Sequence, residues 1–324
     1  MNLPSGDNPW NFTTGGSNKL MNNLEKIKLR LLDISKDIFQ GLLTGRDKLF
    51  FVTIKEDKGD LVIVENNHDK SSHTIEKGIL KKLLKGKEIR KWHIDWQNAY
   101  SIYPYEEQNG VNSLIPVEKI KTKYPYAYQY FVHYKTELMS SDTSEAVDDT
   151  NWYRCRRARS MEQFEQAKII TQVLASTNSF ALDESGKFYF VGGGNAGGFG
   201  IILKEEYVKY YPVILALLNS KVLEFYLKKT STPFESGFYS YGKRFIENFP
   251  IVIPEENQVK LLSELSRKQV SFAMQLNELG EKKTEEREQI IAQMKDNESE
   301  INDIIFKIYG LDEAEQKIVE DSIK

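Results

Sequence analysis

The sequence predicts an α+β fold, a mixed domain of many short strands carried on long heptad helices at its two ends. Three observations predict it. Short β-branched and aromatic runs bounded by turn residues recur between Leu49 and Leu203. Apolar residues repeat at heptad spacing near both ends of the chain. Between these regions, Tyr211 to Pro254 closes the strand-rich part. There an apolar helical face through Val213, Leu217, Leu218, Val222, Phe225 and Tyr226 is interrupted at Asn219-Ser220 and stopped near Thr232-Pro233. Pro250 and Pro254 then bracket an extended exit.

Residues 1–16 read as a polar, Gly-rich, extended lead-in. Residues 17–44 read as an N-terminal long helix, because Leu20, Leu24, Ile27, Leu31, Ile34 and Ile38 repeat at four and three, with Gly41 as its stop. Residues 45–254 read as the α+β domain. Its predicted strands include 49–54, 61–64, 94–102, 113–117, 168–174, 179–183, 187–191 and 199–203. Its predicted helices are a basic one from Glu76 to Lys91 and a Tyr-rich one from Tyr124 to Leu138. Ser140 to Thr150 reads as an acidic surface loop or a disordered segment. Residues 255–324 read as a helical hairpin plus a short terminal helix. Gln269 and Asn297 are polar members of the hairpin seams, Gly280 breaks the two helices, and Asp312-x-x-Glu315 is a capping box. The heptad helices of both ends are expected to pack as one bundle.

Composition limits the function. A length of 324 residues suggests more than one domain, and 40% hydrophobic content supplies a core. No apolar run approaches the roughly 18 residues of a membrane span, and the first residues lack a secretory pattern. One cysteine, Cys155, precludes an internal disulfide and fits a cytoplasmic location. One cysteine and four scattered histidines leave no metal-ligand cluster. The net charge of −3 is uneven: from Glu255 onward 17 acidic and 10 basic residues give −7, which leaves about +4 on what precedes. That asymmetry is compatible with a polyanionic ligand.

Several basic segments stand out. Lys77, Lys81, Lys82, Lys85, Lys87, Arg90 and Lys91 are opposed only by Glu88. The run suits phosphate positioning and equally a solvated helix face. Arg154, Arg156, Arg157 and Arg159 follow Trp152-Tyr153 with no acid among them. Arginine reads guanine edges and phosphates bidentately, although Glu162, Glu165 or Asp148-Asp149 could pair with these side chains. Lys243 and Arg244 sit in an aromatic loop where base contact and ordinary packing are both open. Asn195 lies in the Gly192–Gly198 loop, which contains a G-x-G-x-x-G pattern. The next run is a strand rather than a helix, which argues against a dinucleotide site. The loop reads as a flexible hairpin or as bare backbone that approaches a groove or phosphate. The chain contains no nucleophile elbow, P-loop, H-E-x-x-H or Asn-Pro-Pro-Tyr motif. No catalytic residue or metal ligand is therefore assigned.

The order of motifs carries a resemblance. Trp152-Tyr153 and the arginines, Lys168-Ile169-Ile170, Phe180 to Tyr189, Val213 to Lys221 with Phe225-Tyr226, and Phe249-Pro250-Ile251 follow one another. This order resembles the C-terminal target-recognition region of type IIG, Eco57I/TaqI-like restriction-modification DNA methyltransferases. Gln40 to Val52 is similar to that family's lead into its recognition domain, and Ile304 to Glu320 to its usual ending. The resemblance implies sequence-specific recognition of double-stranded DNA on a scaffold akin to half of a type I specificity subunit. It also implies a chain that is not itself an enzyme, because the family's methyltransferase and nuclease regions lie upstream of such a segment. The implied partner is an N6-adenine methyltransferase domain or subunit that uses S-adenosylmethionine, with no cofactor held by this chain. The competing readings are a helical protein-interaction scaffold, or a separate specificity subunit that docks a methyltransferase without tight DNA binding of its own.

Overall fold

The computed structural model describes residues 15–108, 111–140, 147–155 and 161–323. The α+β class holds, with two main sheets and a helical end. Fourteen strands among the described residues are numbered in chain order. They are β1 Ser35–Gln40, β2 Phe51–Lys58, β3 Leu61–Asn66, β4 Ser72–Glu76, β5 Leu80–Leu84, β6 Ala99–Ile102, β7 Tyr105–Gln108 and β8 Val111–Leu114. They continue as β9 Lys168–Gln172, β10 Leu174–Ala175, β11 Phe180–Asp183, β12 Phe188–Phe190, β13 Gly198–Leu203 and β14 Tyr239–Ser240.

A four-stranded antiparallel sheet, in the order β1-β13-β9-β11, forms the partition of the molecule. Successive side chains of a strand point to opposite faces. Here Ile38, Ile169, Phe180 and Ile201 enter one core, and their neighbours Phe39, Ile170, Ala181 and Ile202 enter another. Burial on both faces is why these strands read as continuous apolar runs rather than alternating ones.

The first core is helical. Every residue of the helix Tyr211–Leu218 is buried within it. The next helix, Lys221–Thr230, starts at Ser220, whose hydroxyl accepts from Leu223 N at 3.3 Å. Asn219, between the two, docks them on the edge of β11: Oδ1 accepts from Phe180 N at 3.1 Å and Nδ2 donates to Phe180 O at 2.9 Å. The break at Asn219-Ser220 is thus a backbone-binding turn.

The two hairpin helices, Glu256–Leu279 and Glu285–Ile308, pack on this pair and join the same core through Leu262, Ala273, Ile301 and Ile305. Gly280, at φ +65°, turns the chain between them. Gln269 and Asn297 meet across the seam, with Asn297 Nδ2 donating to Gln269 Oε1 at 2.7 Å. The final helix, Glu313–Ile323, carries the capping box: Glu315 N donates to Asp312 Oδ1 at 2.8 Å, and Asp312 N to Glu315 Oε2 at 3.3 Å.

The expected helix over 17–44 is corrected. The helix spans Gly15–Glu25 and packs on the final helix, and Leu31 and Ile34 lie in a single helical turn before β1. The helical spacing holds through Ile34; from Ser35, at φ −89° and ψ 133°, the chain is extended, and Ile38 lies on β1. Phe39 enters the opposite core from Ile38, which a one-faced helix would not serve. Leu31 N and Ile251 N close the segment against the extended residues 249–251, bonding Phe249 O and Leu29 O at 2.9 Å each. The N-terminal helix therefore meets the end of the chain, while the two long helices lie on the central pair.

The second core lies under a six-stranded sheet, β12-β5-β6-β2-β3-β4, antiparallel except for the β5–β12 pair. The Tyr-rich helix Pro125–His133 covers it, with Tyr130 OH donating to Leu49 O at 2.8 Å. The expected basic helix from Glu76 to Lys91 is also corrected: it is β5 between two short 3-10 turns. Gly78 and Gly86 weaken a helix there, and Leu83 and Leu84 are buried between β6 and β12.

Candidate nucleic-acid interface

The parallel strands β5 and β12 end together. Val191 N donates to Leu84 O at 2.9 Å, and the two following loops leave side by side. A third segment crosses them from β1. Leu42 N donates to Phe190 O at 2.7 Å, Gly192 N to Leu42 O at 2.9 Å, and Gly41 N to Gly198 O at 3.2 Å. The Gln40 side-chain amide also donates to Gly192 O.

Glycine makes this crossing possible. A Cβ at Gly192 would lie 2.0 Å from Gly41 O, and one at Gly41 would lie 2.4 Å from Phe190 O. A Cβ at Gly198 would lie 2.7 Å from Thr171 O. These glycines serve close packing of backbone on backbone. Gly194 differs: it has φ +58° and open space around it. The tip Gly194-Asn195-Ala196 is exposed, while Gly192 and Gly198 below it are buried. The loop then enters β13, so it offers no helix N-terminus to a pyrophosphate.

The neighbouring loop brings Lys85 and Lys87 beside this tip, since Gly86 packs 3.0–3.1 Å from Gly197 O and Ala196 O when given a Cβ. Lys87 is exposed and Lys85 half-buried. Glu88 props the loop from inside. It is buried, its Oε2 accepts from Lys85 N at 3.2 Å, and burial raises its pKa. The structure therefore joins Lys85, Lys87 and Asn195 on one exposed crest above a braced crossing.

The other candidates lie elsewhere. Lys81 and Lys82 are consecutive on β5 and take opposite faces. Lys81 Nζ lies 2.6 Å from Glu165 Oε1, and this contact holds the Glu165 carboxyl below its ordinary pKa. Lys82 Nζ sits 4.3 Å over the Trp96 ring. Arg90 is exposed, 4.0 Å from Asp95. Lys91 pairs with Glu298 and so ties the segment after β5 to the second hairpin helix. Lys243 lies 4.0 Å from Asp37 on β1, and Arg244 stacks on Phe245 with its guanidinium 4.5 Å from the ring centroid. Arg154 is half-buried and engaged, and Arg156, Arg157 and Arg159 lie outside the described residues.

Sequence reasoning missed two features of this region. Gly41 is one half of the glycine crossing, and its signal was the Gly41 to Gly45 turn facing a second glycine-rich segment. A cleft of about 220 Å³ also opens among Tyr103, Tyr105, Tyr124, Asn112, Lys81 and Glu165. Its residues are scattered in sequence and gave no local pattern.

The family model described as the TaqI-like C-terminal specificity domain matches residues 81–251. The chain belongs to this family. The matched span begins on β5 and ends in the extended segment at Ile251, so it includes the Lys85–Glu88 loop, the glycine loop and the central helix pair. The chain is 25% identical over 241 residues to the type II restriction enzyme and methyltransferase RM.Eco57I of Escherichia coli. The alignment covers 70% of this chain and 24% of that protein, so the chain spans about a quarter of the length of its curated relative. No described helix is long and apolar enough to cross a membrane.

Proposed function

We propose that this specificity domain recognises a defined sequence in double-stranded DNA for a restriction-modification methyltransferase. The observation that carries the reading is the family match over residues 81–251, which includes the exposed crest. Lys87 and Lys85 would set the domain on backbone phosphates, and Asn195 would reach a base edge. The glycine crossing below them holds the crest on two sheets, which limits the entropy lost on binding. Arg154 and the arginines that follow it in sequence are the second proposed contact. Methyl transfer would belong to an adenine-specific methyltransferase portion that holds S-adenosylmethionine, with the hairpin helices facing it. In this reading the chain contributes specificity and no chemistry of its own.

The test is selection of bound fragments from random-sequence duplex DNA at low and moderate salt, followed by sequencing. An enriched motif with binding that weakens steeply with salt supports the reading. Salt-sensitive binding without a motif places specificity in the joint action of this domain and its methyltransferase. No binding at either salt overturns DNA recognition by the isolated chain.

A further inference from the structure

The crest has a neighbour at the same end of the four-stranded sheet. β9 runs toward the crest, and residues 173–177 turn back into β11. Val173 N donates to Gly197 O at 2.9 Å, and Val173 O accepts from Tyr241 N at 2.8 Å. Tyr241 thus lies about 10 Å from the glycine loop, two strand spacings away. β14 continues the attachment, with Tyr239 and Ser240 paired to Ala175 and Leu174 of β10. From this root a narrow hairpin projects. Ser240 N donates to Thr232 O at 3.2 Å, Pro233 bridges Tyr239, and Phe234 N donates to Phe238 O at 2.7 Å. Ser236 and Gly237, at φ +61° and +76°, turn the chain, and consecutive positive φ values suit the twist of a tight hairpin. Ser231 Oγ closes the base on Ser240 O at 2.6 Å, and the buried Tyr241 donates its hydroxyl to Asn178 Oδ1 at 2.9 Å. Every residue from Thr232 to Phe238 is exposed. Phe234 and Phe238 stand opposite each other, so their rings share one face of the hairpin. They are 46% and 40% exposed and join neither core. Pro233 and Tyr239 take the other face, where Lys228 Nζ lies 5.9 Å from the Tyr239 ring centroid.

The charges decide what this hairpin can meet. Glu235 sits at the tip, so the tip is repelled by phosphates. Lys243 and Arg244 are exposed just beyond the root. An acidic, apolar tip above a basic root matches a DNA groove, with phosphates at its rim and bases within. The major groove admits a two-stranded ribbon and displays thymine methyl groups and cytosine amino groups, whereas the minor groove of A·T pairs offers only acceptors. We propose that the hairpin Thr232–Ser240 enters the major groove as a further reading element. Phe234 and Phe238 lie against a thymine methyl group, and Glu235 accepts from a cytosine amino group. Lys243 and Arg244 meet the phosphates of the rim. This inference rests on the DNA-recognition reading above and adds an apolar contact that the polar crest lacks.

The test uses the whole chain and duplexes of the selected sequence in which each thymidine in turn is replaced by deoxyuridine. That replacement removes one methyl group and leaves every hydrogen-bonding edge in place. At one position or more, wild-type binding should weaken about threefold to fivefold, the effect of one methyl group kept from water. Phe234→Ala or Phe238→Ala should weaken binding to the selected duplex at least about fivefold and abolish the penalty of that same replacement. Glu235→Ala should relax selection at one cytosine; an equal gain in affinity for all sequences would mean that the carboxylate only repels DNA, and would overturn the placement of the tip. These side chains are exposed, and unfolding midpoints confirm that the variants fold. Sequence-selective binding that ignores every methyl group and both phenylalanine variants would overturn this inference alone and leave the phenyl pair to a protein partner. Binding without any selected sequence would deny the hairpin a reading role and overturn it as well. No binding at all would overturn the DNA-recognition reading itself.

Discussion

Lys168 donates from Nζ to Asp183 Oδ2 at 2.7 Å, and both side chains are sealed from solvent on adjacent strands β9 and β11. Burial lowers the Lys168 pKa, and a second bond at 2.6 Å to Phe164 O helps to hold the ammonium. Asp183 meanwhile shapes the β11–β12 turn: Oδ1 accepts from Ser185 Oγ at 2.9 Å and Oδ2 from Phe188 N at 3.0 Å. Removing one partner leaves the other charge buried and unpaired, which costs about 3–5 kcal/mol. Lys168→Met should therefore lower the denaturant midpoint sharply without changing the slope of the transition. A loss below about 1 kcal/mol would show that the pair is not the anchor of this sheet edge.

The glycine crossing makes an opposite pair of variants informative. Gly192→Ala would place a methyl group 2.0 Å from Gly41 O, with backbone on both sides and nothing flexible to yield. It should destabilise the crossing far more than a solvent-facing substitution would and lower the unfolding midpoint sharply. Gly194→Ala meets no atoms and incurs only the left-handed backbone cost of about 1–2 kcal/mol. Thermal unfolding of the two proteins compares these costs directly. Similar midpoints would refute the packing account.

On DNA, the crest residues should separate by role. Lys87→Ala should weaken binding to all sequences alike and lower the salt dependence by the equivalent of about one phosphate contact. Asn195→Ala should cost about 1–3 kcal/mol on the preferred sequence and relax selection at one position. Equilibrium binding to the selected duplex and to single-position variants measures both. Uniform weakening by Asn195→Ala would remove its base-reading role.

His73, on β4, sets an acid limit on the six-stranded sheet. Its Nε2 lies 2.8 Å from Ser71 Oγ, and burial, then the nearby His133, hold its pKa below the ordinary value. The folded protein therefore keeps His73 neutral at a pH where the unfolded chain, titrating near 6.5, takes up a proton. The unfolded state binds more protons there, so stability falls as pH drops through about 6.5 and levels off once folded His73 protonates. Urea midpoints should decline from pH 7 to pH 5, and His73→Gln should flatten that decline. Parallel declines in the two proteins would assign the effect to other groups.

In the helical hairpin, Asn297 Nδ2 donates to Gln269 Oε1 at 2.7 Å and to Leu265 O at 3.0 Å. Asn297→Leu leaves the buried Gln269 without this donor and should cost about 1–3 kcal/mol. The double variant Asn297→Leu with Gln269→Leu removes both polar groups and should recover most of that loss. A double-mutant cycle by denaturant unfolding measures the coupling. Additive losses would show that the two amides act separately.

The parts of this architecture with local signatures were legible in the sequence. Heptad spacing marked both hairpin helices, Gln269 and Asn297 marked their polar contact, and Asp312 and Glu315 marked the last cap. Two helical readings failed for one reason. Ile34 and Ile79 each close a short helical turn, and Ile38 and Leu83, four residues on, already lie in the strands that follow, so the spacing ran on across a change of structure. What decided between them was long-range: Phe249 O bonded to Leu31 N, and β6 and β12 on either side of β5. The grouping of Lys85, Lys87 and Asn195 was hidden for the same reason. Their closeness depends on a parallel strand pair between residues about a hundred positions apart, and no single-sequence period encodes that pairing.

The sheet of β1, β13, β9 and β11 limits how one half of the molecule could be replaced without the other. Each of its strands feeds a residue to the helical core and the next to the recognition core, so a slip of one position would trade the contents of the two. A graft that cuts at the edge of the recognition side would strip Phe39, Ile170 and Ile202 of their partners, or else carry Ile38, Ile169 and Ile201 into a foreign scaffold. Changes above the sheet, in the crest and its neighbouring loops, leave both cores untouched. The strands beneath them are common property of the two cores.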